Sequence, residues 1–141
     1  MILPDVNVLV YALDDQSARH DICRKWLRNV MEGEEPFAMA ELILCSFMRI
    51  VTHPKILKKP PSLKQATQAV QAIRNHPLCH IVRPGEKHFD IFLEKCHAAK
   101  VQGGFMSDVY LAAIAIEHDC EMITFDKGFQ RIPDLKWCLP Y

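Results

Sequence analysis

Met1-Ile2-Leu3-Pro4-Asp5-Val6-Asn7-Val8-Leu9-Val10-Tyr11-Ala12-Leu13 is the stretch that decides the fold. Ile2 to Pro4 reads as a short buried strand ending at Asp5, and Val6 to Leu13 as a short helix. A carboxylate inside so apolar a run is costly to bury without a partner. It therefore needs a reason, and the rest of the chain supplies one. The pattern of a strand followed by a helix recurs. Phe37-Ala38-Met39 reads as a second strand and Cys79 to Val82 as a third. Met122-Ile123-Thr124 reads as a fourth, with Lys136 to Cys138 as a short edge strand.

The intervening helices follow from apolar spacing and from their stops. Ala18 to Glu32 carries the stripe Ile22, Trp26, Leu27, Val30 and Met31 and ends at Gly33. Ala40 to Thr52 presents Leu44, Phe47, Met48 and Val51 and is stopped by Pro54. Ser62 caps a helix running to Asn75, with Ala66, Val70 and Ile73 inward. Glu86 to Lys100 turns Phe89, Phe92, Leu93 and Cys96 inward. After the Gly103-Gly104 break, Ser107 caps a helix from Asp108 to His118. Strands that alternate with helices imply an α/β domain with a parallel sheet covered on both faces.

On that frame four acids share one address. Asp5 follows the first strand, Glu41 opens the helix after the second, Asp108 sits in the first turn of its helix, and Asp126 follows the fourth strand. In an open α/β sheet those positions face one crevice. Clustered carboxylates repel, and the escapes are proton uptake or a bound cation. Oxygen-only ligands select Mg²⁺ or Mn²⁺ over zinc. The pattern predicts a hard-metal site and a metal-dependent hydrolase. The plainer reading of an acid in a helix's first turn is a cap that favours the helix dipole.

Composition narrows the remaining classes. The 141 residues suit one domain, 1–141, and half of them are hydrophobic. Lys plus Arg and Asp plus Glu balance at 17 each, so net charge argues neither for nor against a polyanionic partner. No stretch looks like a signal peptide, and no apolar run approaches the ~20 residues a membrane helix needs. The six cysteines show no CxxC pairing, which suits free thiols in a reducing cytoplasm. His76-Pro77-Leu78-Cys79-His80 is the densest zinc-like cluster, but no second ligand pair lies at zinc spacing. There is no GxSxG elbow and no GxxxxGK[ST] loop. An aspartyl phosphatase would need a second Asp where Asn7 stands. The basic loop bearing Lys55, Lys58 and Lys59 is either a solvated segment or a contact for RNA phosphates. Arg49 either pairs with a carboxylate or reaches RNA.

Several segments together resemble one family. Asp5-Val6-Asn7-Val8-Leu9-Val10-Tyr11-Ala12 is similar to a DxNVLxYA motif. Phe47-Met48-Arg49-Ile50-Val51-Thr52-His53-Pro54 is similar to FLRxxTHP. Ser107 to Ala115 resembles an (S/T)DAxLAALA helix, and Thr124-Phe125-Asp126-Lys127-Gly128-Phe129 resembles TxDxxF. In order and over nearly the whole chain, these resemble the PIN-domain nucleases and, within them, the VapC-type toxins of toxin–antitoxin pairs.

The resemblance implies a PIN-like three-layer α/β/α sandwich with a central, mostly parallel four- to five-stranded sheet. It implies a Mg²⁺- or Mn²⁺-dependent endoribonuclease with Asp5, Glu41, Asp108 and Asp126 as the metal-binding acids. Asn7, Thr124 and Ser107 would orient them. It further implies an RNA substrate, a cognate antitoxin, a homodimer and a cytoplasmic location. A housekeeping PIN nuclease and a silent RNA- or protein-binding PIN module remain as alternatives. Gly128 stands where relatives often carry a second Asp, and Gly103-Gly104 where Asn is common.

Overall fold

The computed structural model describes residues 1–141. Its centre is one five-stranded sheet in the order β3-β2-β1-β4-β5, with every neighbouring pair parallel. The strands are β1 (Ile2–Pro4), β2 (Phe37–Met39), β3 (Cys79–Ile81), β4 (Glu121–Ile123) and β5 (Trp137–Cys138). The helices are α1 (Val6–Leu13), α2 (His20–Glu32), α3 (Glu41–Val51), α4 (Leu63–Arg74), α5 (His88–Ala98) and α6 (Phe105–Glu117), and a 3₁₀ turn spans Lys127–Arg131. From β1 the chain winds outward through β2 to β3, then returns across β1 to β4. Right-handed crossovers then put the α1–α4 connections on one face and α5–α6 on the other. Consistent with this, α1 packs on α2 and α3, α3 on α4, and α5 on α6.

The reversal of direction falls between β1 and β4, the place where open α/β sheets gather ligands. Pro4 helps set it. A proline cannot donate to a ladder. Pairing of β1 with β2 is recorded only at Ile2↔Phe37, while pairing with β4 runs on to Pro4↔Ile123. The next N–H, that of Asp5, donates to the Ile123 carbonyl at 2.9 Å. Asp5 is therefore pinned against the end of β4. Beneath it lies the main core, built around Leu3, Leu9, Phe37, Met39, Ile43, Met122 and Phe129.

Most element boundaries match the sequence reading, and α4 shows why. Ser62 accepts from the Gln65 N–H at 3.1 Å and the Gln65 side chain accepts from the Ser62 N–H at 2.9 Å, a reciprocal cap. Ala66, Val70 and Ile73 are buried as expected. All six cysteines are free.

Two expectations fail. The stripe assigned to α5 has the wrong phase: His88 and Lys95 are buried, whereas Phe89 and Leu93 are 58% and 44% exposed. The buried polar groups have partners, which is what makes their burial tolerable. His88 Nε2 lies 2.9 Å from the Tyr110 carbonyl. Lys95 Nζ donates to Glu94 and Asp134 at 2.8 and 2.6 Å. The start of α5 is set by Glu117, whose carboxylate accepts from the N–H groups of Gly85 and Lys87 at 2.7 and 2.9 Å. A β-carbon at residue 85 would lie 2.6 Å from Glu117 Oε1, so the carboxylate would have to shift to admit one.

The second failure is at α6, which begins at Phe105 rather than Asp108. Ser107 is not its cap. Gly103 adopts φ +61°, a left-handed turn that suits glycine, and the helix starts directly after it. On the α2 stripe, Ile22 also stays exposed.

Core and cap make separable contributions to stability. Leu3→Ala, at a fully buried site, is expected to lower unfolding free energy by about 2–5 kcal/mol. Ser62→Ala should lower it by about 1 kcal/mol. Denaturant titration of the two variants against wild type measures both.

Candidate active site

Asp5 is the N-cap of α1, and its side chain is 95% removed from solvent at a residue exposure of 5%. Its carboxylate is held from three directions. Oδ1 accepts from the Val6 N–H at 2.6 Å. Oδ2 accepts from Asn7 Nδ2 and from the Thr124 hydroxyl, each at 2.7 Å. Thr124 Oγ1 in turn accepts from Asn7 Nδ2 at 2.9 Å and from the Asp126 N–H at 3.0 Å. Asn7 Oδ1 accepts from the Phe125 N–H at 3.3 Å. Asn7 and Thr124 thus tie the end of β1 to the end of β4. Desolvation pushes the Asp5 carboxyl above its usual range; the Thr124 and Val6 hydrogen bonds oppose this, and the charge of Asp126 adds to it.

Asp126 caps the 3₁₀ turn, accepting from the Gly128 N–H at 2.7 Å. A β-carbon at 128 would lie 2.9 Å from Asp126 Oδ1, so a side chain there would press on this carboxylate. Asp108 approaches from α6. Its carboxyl is pushed up to about 6, first by desolvation and then by the charges of Asp5 and Asp126. The three aspartates are mutually close enough to feel one another, and no cation in the chain pairs with any of them.

Glu41, the fourth acid of the expectation, is engaged by two arginines. Its Oε1 accepts from Arg74 Nε and Nη2 at 3.0 and 2.8 Å, and its Oε2 accepts from Arg83 Nε at 3.0 Å. The hydrogen bond from Arg74, then that from Arg83, holds its carboxyl below the usual range. The cause is helical phase. The residues of α3 that face the crevice are Leu42, Ile43, Ser46 and Arg49, one side of the helix at three- and four-residue spacing. Glu41 falls off that side, into the adjoining groove with Arg83 and Tyr110.

The crevice itself has a volume of about 670 Å³ and is lined by Asp5, Asp108, Ser107, Ser46, Arg49, Phe92, Met106 and Tyr110, among others. Ser107 therefore belongs to the crevice although it is not a cap. Arg49 lines the crevice without forming an ion pair there. Lys59 lies beside Asp14, Asp15 and Gln65 at the far end of α1. Ser46, Phe92 and Tyr110 were not singled out from sequence. The i, i+4, i+7 spacing of Leu42, Ser46 and Arg49 is the signal that was there to read.

The donor set fits a hard divalent cation. It is all oxygen, its charges are uncompensated, and Asp5 is oriented by groups that leave Asp108 without a partner. As placed, no three carboxylate, imidazole or thiolate side chains stand close enough together to hold a metal ion between them. In the metal-free protein the raised Asp108 pKa means that the folded state holds a proton which the unfolded state has lost. Its contribution to stability is full below about pH 4 and disappears as pH rises through about 6. The melting temperature of Asp108→Asn relative to wild type, measured in EDTA, should accordingly rise between pH 5 and pH 7.5. A constant difference across that range would contradict the repulsion described.

A family model for the PIN domain matches residues 2–135. Ribonuclease VapC43 of Mycobacterium tuberculosis is 34% identical over 140 residues, covering 99% of this chain and 95% of the relative. Ribonuclease VapC25 of the same organism is 30% identical over 140 residues, with 99% of each covered. Among solved structures, VapBC2 from Rickettsia felis, bound to a promoter DNA fragment, superposes with a TM-score of 0.72 at 19% identity. It covers 99% of this chain and 98% of that one. The sheet order, the aspartates at its switch point and these full-length likenesses agree: the chain belongs to the PIN-domain family and, within it, to the VapC ribonucleases.

Proposed function

We propose that the chain is a Mg²⁺- or Mn²⁺-dependent endoribonuclease and the toxin of a VapBC-type toxin–antitoxin pair, with Asp5, Asp108 and Asp126 as its metal-binding acids. The observation that carries this reading is Asp108. It is a half-buried carboxylate that shares the crevice with Asp5 and feels the charges of both Asp5 and Asp126, with no cation of the chain paired to it. A divalent cation there would activate water and neutralise charge on a phosphodiester. Asp5 would be the anchoring ligand, since Asn7 and Thr124 leave its carboxylate no freedom to turn. Arg49, opposite the acids, would bind the phosphate of the strand as a fork of donors. Ser107 and Ser46 supply hydroxyls at the crevice wall. Glu41 would act through Arg74 and Arg83, by holding two cations beside the crevice.

The partners fit the same surface. Leu42 and Met106, 45% and 43% exposed, are apolar side chains on the crevice wall. An antitoxin segment laid over them would cover the crevice and could place a basic side chain near the acids. Phe89 and Leu93, four residues apart on α5, offer an apolar strip for a second copy of the chain. The site of action is the cytoplasm.

The test is cleavage of RNA by the purified chain with Mg²⁺ or Mn²⁺ and with EDTA. Cleavage should stop with EDTA and fall at least about 100-fold in Asp5→Asn and Asp108→Asn. Thr124→Val should require roughly 10- to 100-fold more metal, the usual effect of losing an outer-shell partner. Glu41→Gln should retain the metal requirement of wild type. Full activity of Asp108→Asn at equal metal would overturn the assignment. Expression of wild type without an antitoxin should arrest bacterial growth, and expression of Asp5→Asn should not.

A further inference from the structure

Phe125 lies between Thr124 and Asp126, and its N–H is bound by Asn7, so its backbone belongs to the network that holds Asp5. Its ring lies outside the crevice, in a cluster that the reaction described above leaves unused. Tyr11 meets it edge-on with centroids 5.9 Å apart, and Tyr141 meets it at 6.5 Å. The Arg19 guanidinium lies 4.2 Å from the Phe125 ring centroid and 5.3 Å from that of Tyr11. Arg19 forms no ion pair and is exposed, Tyr141 is 83% exposed, and the rings of Tyr11 and Phe125 are only partly covered.

Three aromatic rings and an arginine free of carboxylates therefore gather just past the ends of β4 and β5, beside Asp126. Single-stranded RNA is bound in this way elsewhere in protein chemistry: unstacked bases lie on aromatic rings and guanidinium planes while cations take the phosphates. The cluster adjoins Asp126 through the backbone of Phe125 and Thr124, so a base of the strand held at the aspartates is the occupant its position favours.

We propose that Phe125, Tyr11, Tyr141 and Arg19 form a base-stacking subsite for a nucleotide next to the phosphodiester held at the aspartates. This rests on the ribonuclease reading of the crevice. Because every base has a π-face, the subsite would grip the strand with little preference for sequence. It would demand an unpaired nucleotide, since a base inside a duplex cannot leave its stack to reach the rings.

The test uses Asp108→Asn protein in Mg²⁺ and fluorescently labelled ten-nucleotide strands of oligo(U), of oligo(A) and of abasic ribose-phosphate. Anisotropy titration should show base-bearing strands bound about tenfold or more tighter than the abasic strand. Phe125→Leu, and independently the surface changes Arg19→Lys, which keeps the charge and loses the guanidinium plane, and Tyr141→Ala, should each shrink that gap while leaving the abasic affinity unchanged. The two surface variants decide the matter if Phe125→Leu does not fold. Equal binding of abasic and base-bearing strands by the parent, or variants that lose affinity for both alike or for neither, would make the cluster a packing contact only. Metal-dependent cleavage by wild type is scored separately. Absence of cleavage with a base-dependent gap would remove the nuclease reading and keep the subsite, and cleavage without the gap would do the reverse.

Discussion

The carboxylate of Asp5 is the constraint on which the site depends. It is buried where a charge is expensive, and it is tolerated because Val6, Asn7 and Thr124 each donate to it. Those donors come from two chain segments nearly 120 positions apart, |i−j| = 119 for the Thr124 bond. The same three contacts therefore satisfy the charge, cap α1 and lock the end of β1 against the end of β4. Desolvation drives the Asp5 pKa upward, and the hydrogen bonds from Thr124 and Val6 oppose that shift.

Everything else at the crevice is arranged around that fixed charge. Asp126 follows from the strand that Thr124 ends, and Asp108 reaches the same space from the opposite helical layer. The turn at Gly103 starts α6 early enough to aim Asp108 inward. The resulting repulsion is left standing, because no lysine or arginine of the chain enters to relieve it. Arg49 shares the crevice but not an ion pair, and the arginines nearest to Glu41 are occupied by it. An unrelieved negative site beside positive side chains can take both a metal ion and the polyanion on which the ion acts. Neither an all-acidic nor an internally paired pocket would do this as well.

The layer opposite α1–α4 is stabilised by polar groups as much as by apolar ones. Glu117 caps α5, His88 meets the Tyr110 carbonyl, and Lys95 draws Glu94 and Asp134 together from beneath the surface. This turns α5 so that Phe89 and Leu93 face outward. A helix whose apolar side chains face solvent while its lysine is buried has its core side chosen by specific partners rather than by hydrophobicity.

Local pattern by itself determined the order of strands and helices, the α/β class, the span of α1, the cap of α4 and the positions of Asp5, Asp108 and Asp126 at element ends. Each of these depends on neighbours within a turn or two, and the sequence displays such neighbours directly. The motif likeness carried the family and its chemistry. Tertiary structure alone decided that Asn7 and Thr124 share the Asp5 carboxylate and that Lys95 rather than Phe89 faces inward. It also decided that Glu41 turns to Arg74 and Arg83 while Ser46 and Arg49 line the crevice. Those outcomes depend on helix phase, where one residue shifts a side chain by about 100°, and on partners 33 to 119 positions away. No local window of the sequence contains both members of such a pair.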